Sequence, residues 1–323
     1  MPSPPAQSRQ WPGTPQAGQR RQSPGSNTLL VILLTVGVLA VVSVLVAAGL
    51  SAFYSGGPGQ ATVALIPLDG MIVSESGQAG LFTPTAAGSD TLVGYIKSAD
   101  ADSSISAIVL DIDSPGGSPV ASEEVARAVL EAKKPTVALI RETGASGAYW
   151  IASASDWIIA NRLSITGSVG VYASQLEFAG LLQRYNVTYR RLVAGELKDL
   201  GTPYKEMTPA EEDVLQQKLD RMHATFLGEV VRNRGLLPQQ AEEVSTAVFF
   251  LGEEAIEVGL VDELGGMDEV EAYLKETLGV DEIAFVEYRR TPGFLESLGT
   301  LAASFVPRTA LMPGAADADI LLR

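Results

Sequence analysis

The chain has 323 residues, of which 46% are hydrophobic and 32 are glycine, with a formal net charge of −15. That balance suits a packed α/β core, and its acidity argues against nucleic acid, which needs a basic footprint. With no cysteine and a single histidine, His223, disulfides, thiolate metal sites and a cysteine nucleophile are excluded. His223 has no second histidine at ligand spacing, and Asp111 with Asp113 lacks the rest of a calcium loop. No metal and no cofactor are expected.

Residues 1–28 are rich in Pro, Gly, Gln and Ser without apolar periodicity and read as a disordered tail. The stretch 29–50 then runs without a charge. About 20 apolar residues at ~1.5 Å rise span the ~30 Å hydrocarbon core, so this reads as a transmembrane helix. The length of the stretch and the polar tail before it favour an uncleaved signal anchor over a cleavable signal peptide. Arg9, Arg20 and Arg21 precede the span, whereas Asp69 and Glu75 are the first charges after it. The positive-inside rule therefore places the tail in the cytoplasm and the remainder outside it, at the cell membrane. A linker follows at 51–61, then a globular domain over 62–290. The last segment, 291–323, opens with Phe294, Leu298, Leu301 and Phe305 on one helical face and ends in a Pro/Gly/Asp-rich tail. It is expected to pack on its own domain or on a neighbouring subunit.

Within the domain, β-branched runs predict strands at 62–67, 105–112, 136–140, 157–160, 168–172, 187–192 and 283–288. Helices are predicted at 90–98, 122–133, 146–154, 176–185, 208–233, 253–258 and 267–278. The fifth of these opens with Thr208-Pro209-Ala210-Glu211, a capping box with proline at the first helical position. Alternating strands and helices predict a mostly parallel sheet with helices on its faces.

Two strand-to-helix turns carry possible chemistry. Asp113-Ser114-Pro115-Gly116-Gly117 follows an apolar strand, and paired glycines let backbone N–H groups approach a ligand, as an oxyanion hole requires. Gly144-Ala145-Ser146-Gly147 repeats the arrangement with a serine at a helix start. Each turn alone is commonplace, since serine there is most often only an N-cap. Together they lie at the carboxyl ends of strands, where open α/β sheets place ligands. If Ser146 is a nucleophile, the near absence of histidine makes a lysine the economical base. Such a lysine must lose its proton far below the reference of ~10.4, which burial favours. For Lys198, neighbouring Glu196 and Asp199 would oppose this if they faced the amine. Chemistry alone does not select Lys198 from the other lysines.

The ordered blocks Asp113-Ser114-Pro115-Gly116-Gly117, Gly144-Ala145-Ser146-Gly147-Ala148-Tyr149, Thr166-Gly167-Ser168-Val169-Gly170-Val171, Lys198-Asp199-Leu200-Gly201-Thr202-Pro203 and Gly259-Leu260-Val261-Asp262-Glu263-Leu264-Gly265 resemble the short, single-domain form of the signal peptide peptidase A family. The resemblance covers about residues 62–280. It implies an α/β fold of the Clp protease/crotonase type, a spiral of ββα units, after one N-terminal transmembrane helix. It also implies a membrane-anchored serine endopeptidase with a Ser-Lys dyad. By position the nucleophile falls on Ser146 and the general base on Lys198. Oxyanion donors fall on the backbone N–H groups of Gly117 and Gly147, and Ser168 is a pocket residue that orients the dyad. Ala148 and Trp150 depart from the family's usual residues, which bears on pocket shape.

The implied substrates are released signal peptides or other apolar, membrane-associated peptides, with the lipid membrane as the setting and a homo-oligomer as the assembly. Alternatives are a related Ser-Lys peptidase working with stomatin-like partners and a catalytically idle membrane scaffold of the same fold. Acyl-CoA chemistry on the crotonase-like fold conflicts with an extracytoplasmic domain. A triad of Ser146, His223 and Asp113 is disfavoured because His223 reads as an ordinary helix residue.

Overall fold

A computed structural model describes residues 26–54, 59–75 and 86–288. The expected tail before residue 26 and the C-terminal amphipathic segment lie outside the described residues. The chain divides into two compact units, at 1–54 and 55–323. In the first, helix α1 spans Ser26–Tyr54, 29 residues, and covers the whole uncharged stretch. Its side chains are described at 32–46, where all are exposed. That part reaches about 22 Å at ~1.5 Å per residue. Among the described residues, no helix is long and apolar enough to cross a membrane.

The second unit begins with β1 (Gln60–Asp69), the short strands β2 (Met71–Val73) and β3 (Ala86–Gly88), and α2 (Ser89–Ala101). Next come β4 (Ala107–Ser114), α3 (Pro119–Leu130), β5 (Thr136–Ala145), α4 (Gly147–Ser153), β6 (Trp157–Ala160) and β7 (Ile165–Gly167). After α5 (Ala179–Arg184) and the long α6 (Pro209–Arg234) come α7 (Pro238–Val244), β8 (Phe249–Leu251), α8 (Gly252–Glu257), β9 (Glu263–Leu264), α9 (Met267–Leu278) and β10 (Glu282–Glu287). The main sheet runs β10-β1-β4-β5-β6-β9 with every neighbour parallel, as the alternation predicted. Past the end of β6, β7 takes over the pairing with β5 and carries β8 antiparallel on its far side.

The period-2 alternation of the central strands divides the core. Ile108, Leu110 and Ile112 of β4 face the larger cluster with α2, α3 and α4, while Val109 faces a smaller one with Val270 and Leu274 of α9. Each such buried side chain contributes about 1.5–3 kcal/mol. Helix α6 starts as its sequence predicts. Thr208 Oγ1 accepts from the Glu211 N–H at 3.3 Å, and Glu211 Oε2 accepts from the Thr208 N–H at 3.0 Å.

Two predicted strands are corrected. The run 168–172 is irregular, because Ser168 takes a left-handed φ of 51° and turns the chain out of the sheet just after β7. The run 187–192 has strand-like composition but no partner strand among the described residues. It lies in a projecting arm, 171–206, that folds on itself. Within the arm, Phe178 N–H donates to Pro203 O at 2.7 Å, Val187 N–H to Leu182 O at 2.8 Å, and the rings of Tyr189 and Tyr204 sit 5.7 Å apart. Helix α7 and the short strands β2, β3, β7, β8 and β9 had no prediction.

Candidate active site

Ser146 sits between the last residue of β5 and the first of α4, with φ 53° and ψ −126°. A non-glycine residue there costs about 1–3 kcal/mol and persists only when its surroundings enforce it. They do so here. The Ser146 N–H donates to Gly167 O at 2.8 Å, and its carbonyl accepts from the Trp150 N–H at 3.0 Å. This is a sharp strand-to-helix turn that presents the hydroxyl, and Ser146 Oγ makes no cap hydrogen bond to α4.

The second glycine turn packs backbone to backbone on the first. Gly116 has φ 96°, and a Cβ there would stand 2.7 Å from Gly147 N and 2.9 Å from Ser146 Cβ. At Gly147 a Cβ would stand 2.2 Å from Ser122 Oγ, so only glycine fits, and that same point is 3.4 Å from Gly117 N. The turn itself is shaped by buried Ser114, whose hydroxyl donates to Gly70 O at 2.6 Å and accepts from the Gly116 N–H at 3.1 Å. Gly117 forms a bridge with Ile72 in which Gly116 O and the Ser118 N–H make the hydrogen bonds. The N–H groups of Gly117 and Gly147 therefore have no acceptor among the described residues. With α4 only seven residues long, these two donors, more than a helix dipole, form the electropositive element beside Ser146.

Ser168 follows the residue that holds the Ser146 backbone, and its own N–H donates to Val248 O at 3.1 Å. The structure thus gathers Gly117, Ser146, Gly147 and the Ser168 turn. It does not bring in Lys198. That residue is exposed in the arm, and no hydrogen bond joins it to Ser146. His223 is also directed elsewhere, with its Nε2 3.1 Å from Val169 O, and Asp113 accepts from the Thr143 N–H at 3.2 Å. The two do not form a triad with Ser146.

Trp150 is buried rather than pocket-lining. Its indole stacks on Phe226 with centroids 4.5 Å apart and donates to Glu229 at 2.7 Å, tying α4 to α6. Tyr149 is fully buried and donates to Leu260 O at 2.7 Å, and burial pushes its phenol up. The glycine-rich block at 259–265 is therefore a brace for α4, reinforced by Arg234 on Asp262 at 2.5 Å.

A cavity of about 700 Å³ lies at the carboxyl ends of β1, β4 and β5 and is lined by residues that include Asp69, Asp111, Asp113 and Arg141. Its lining includes none of Ser146, Gly117 and Gly147. Burial raises the Asp111 carboxyl, opposed by Arg141 at 3.8 Å. Among the described residues no group of three or more His, Cys, Asp or Glu is placed to hold a metal ion.

Residues 128–281 match the model of peptidase family S49. A protein of Methanocaldococcus jannaschii named as a protease is 31% identical over 211 residues, which are 65% of this chain and 68% of that one. The chain belongs to peptidase family S49. A relative in Enterococcus faecium, named as a signal peptide peptidase SppA, is 29% identical over 230 residues, 70% of this chain and 67% of its own length. The solved structure of a membrane-bound stomatin-specific protease in complex with a substrate peptide aligns with a TM-score of 0.45 at 17% identity, covering 76% of this chain and 99% of that chain. This member of the family is a serine peptidase. The family match includes Ser146, Gly147, Ser168 and Lys198 and begins after the Pro-Gly-Gly turn.

Sequence reasoning missed Ser114 and Ser122, which shape the two turns, and Arg191, which pairs with Asp199 beside Lys198. Only the spacing of Ser114 to Gly116 offered a hint, as a serine two residues before a glycine turn commonly caps it.

Proposed function

We propose that the chain is a membrane-anchored endopeptidase that cleaves apolar, small-residue peptides such as released signal peptides, with Ser146 as nucleophile and Lys198 as general base. The observation that carries this is the strained Ser146 turn packed against the acceptor-less N–H groups of Gly117 and Gly147. Ser146 Oγ attacks the scissile carbonyl while uncharged Lys198 takes its proton. The two N–H groups receive the oxyanion, and the lysine returns the proton to the leaving amine. Water, deprotonated by the same lysine, then hydrolyses the acyl-enzyme. Ser168 orients the lysine beside Ser146. The uncharged sequence stretch 29–50 supports the anchor, and three arginines ahead of it support a cytoplasmic N-terminus with the peptidase unit outside.

Lys198 comes from a second copy of the chain. The arm that carries it is exposed and apolar, with Tyr172 at 88% and Leu192 at 95% exposure. An apolar surface of this kind is buried on assembly, and assembly shelters a dyad that a lone chain leaves in water.

The test compares Ser146→Ala, Lys198→Ala and an equimolar mixture refolded together. Each variant alone is expected to assemble and be inactive. The mixture is expected to recover about a quarter of wild-type sites, the fraction pairing an intact serine with an intact lysine in a cyclic assembly. Turnover by Lys198→Ala alone would remove the lysine mechanism, and a dead mixture would return the dyad to one chain.

A further inference from the structure

Lys198 lies in no helix or strand, so nothing in a regular ladder sets its direction. Its turn is held by Gly195 at φ 99° and by hydrogen bonds from Lys198 N–H to Gly195 O at 3.2 Å and from Thr202 N–H to Asp199 O at 3.0 Å. Arg191 closes over this turn. Its Nε donates to Asp199 Oδ2 at 2.7 Å, its Nη2 to Asp199 Oδ1 at 2.7 Å, and Nη2 donates as well to the Glu196 carbonyl. Residues 196 and 199 flank Lys198, so one guanidinium grips the turn on both sides of the base. A planar fork holding a carboxylate through two bonds fixes direction as well as distance, which a flexible ammonium cannot do.

The same fork also settles the charge of the residue that follows the lysine. Asp199 follows Lys198 directly in the chain, and its carboxylate is paired with Arg191 at 2.7 Å, so the two charges next to the lysine cancel each other. Pairing with Arg191 keeps the Asp199 carboxyl below the ordinary carboxylate range. The other charged or titratable groups acting on the pair are Lys205 and Glu211 at the base of the arm and Tyr189 within it. Lys205 and Glu211 are themselves joined, and Glu196 and Arg190 complete the charges around the turn.

We propose that Arg191 is a positioning residue for the peptidase reaction, holding the Lys198 turn from both sides and presenting the lysine to Ser146 next to an internally neutral pair. This rests on the reading of Lys198 as the base. It adds a second requirement, that the base keep its own counter-charges occupied.

The test measures kcat/KM against pH for the full-length, detergent-solubilised assembly on a fluorogenic apolar peptide. Arg191→Gln frees the Asp199 carboxylate and is expected to move the acid limb up by about 0.5–1 pH unit, with Asp199→Asn moving it down by a similar amount. The double variant is expected to return to the wild-type limb, and Arg191→Lys to keep the limb while lowering kcat about tenfold through loss of the fork. A purely structural role lowers rates without moving limbs in opposite directions. Limbs of both single variants coincident with wild type, with Lys198→Ala inactive, would overturn the role of Arg191 alone. Activity in Lys198→Ala would instead overturn the base assignment beneath it. If Arg191→Gln fails to assemble, an unmoved limb in Asp199→Asn decides against the proposal.

Discussion

The surroundings of Ser146 and those of Lys198 are built in opposite ways. Ser146 is locked by two backbone hydrogen bonds, by glycine turns in direct contact and by a helix buried at every residue from Gly147 to Ser153. Lys198 stands on a segment that packs mainly on itself and shows Tyr172, Leu176, Tyr185 and Leu192 to solvent. The first region is pre-organised within one chain, and the second is the surface that the proposed assembly would cover. In the proposed reaction the positioning demands of catalysis are met separately for the two groups, by burial around Ser146 and by local polar clasps around Lys198.

The sharpest way to break the first region is Gly147→Ala. Its Cβ would enter the space of Ser122 Oγ and displace one oxyanion donor, so kcat is expected to fall about 10²–10³-fold. Combining it with Ser122→Gly, which removes that hydroxyl, is expected to recover part of the loss. Steady-state kinetics on folded, assembled protein checks both.

The second region is tested by Leu192→Asp. A charge placed on the projecting apolar face is expected to shift the assembly to smaller species in light scattering. Activity should fall in proportion, and the thermal stability of the chain itself should change by less than about 0.5 kcal/mol, as usual for exposed substitutions. Loss of activity without loss of assembly would show that the arm acts otherwise than by docking.

The smallest effect is expected away from both regions. Burial raises the Asp111 carboxyl above its ordinary value, so its contribution favours the folded state at low pH and is lost as pH rises through the raised value. Asp111→Asn is therefore expected to stabilise the protein slightly at pH 7, with the gain disappearing toward pH 4. Thermal melts across that range check the sign, and unchanged turnover checks that the acidic cavity lies outside the reaction.

The contrast also explains what was legible in the sequence. β4, β5 and β6 announced themselves because both faces are buried, which forces continuous apolar runs, and α6 because its capping box is local chemistry. The Ser146 and Pro-Gly-Gly turns were visible because close backbone approach demands glycine. The arm misled because Val187 and Tyr189 have strand composition while strand formation needs a neighbour, and none pairs with them among the described residues. The contact of Ser122 with Gly147 and the fork of Arg191 on Asp199 depend on how distant or irregular segments meet, which no short pattern encodes.

The bond from Tyr149 to Leu260 O spans 111 positions of sequence and has a consequence in time. During synthesis at roughly 5–20 residues per second, the helix behind Ser146 waits several seconds for the carbonyl that secures it. β10, the strand completing the sheet beside β1, arrives later still. The turn at Ser146 thus gains its full support only once residues more than a hundred positions downstream have been made.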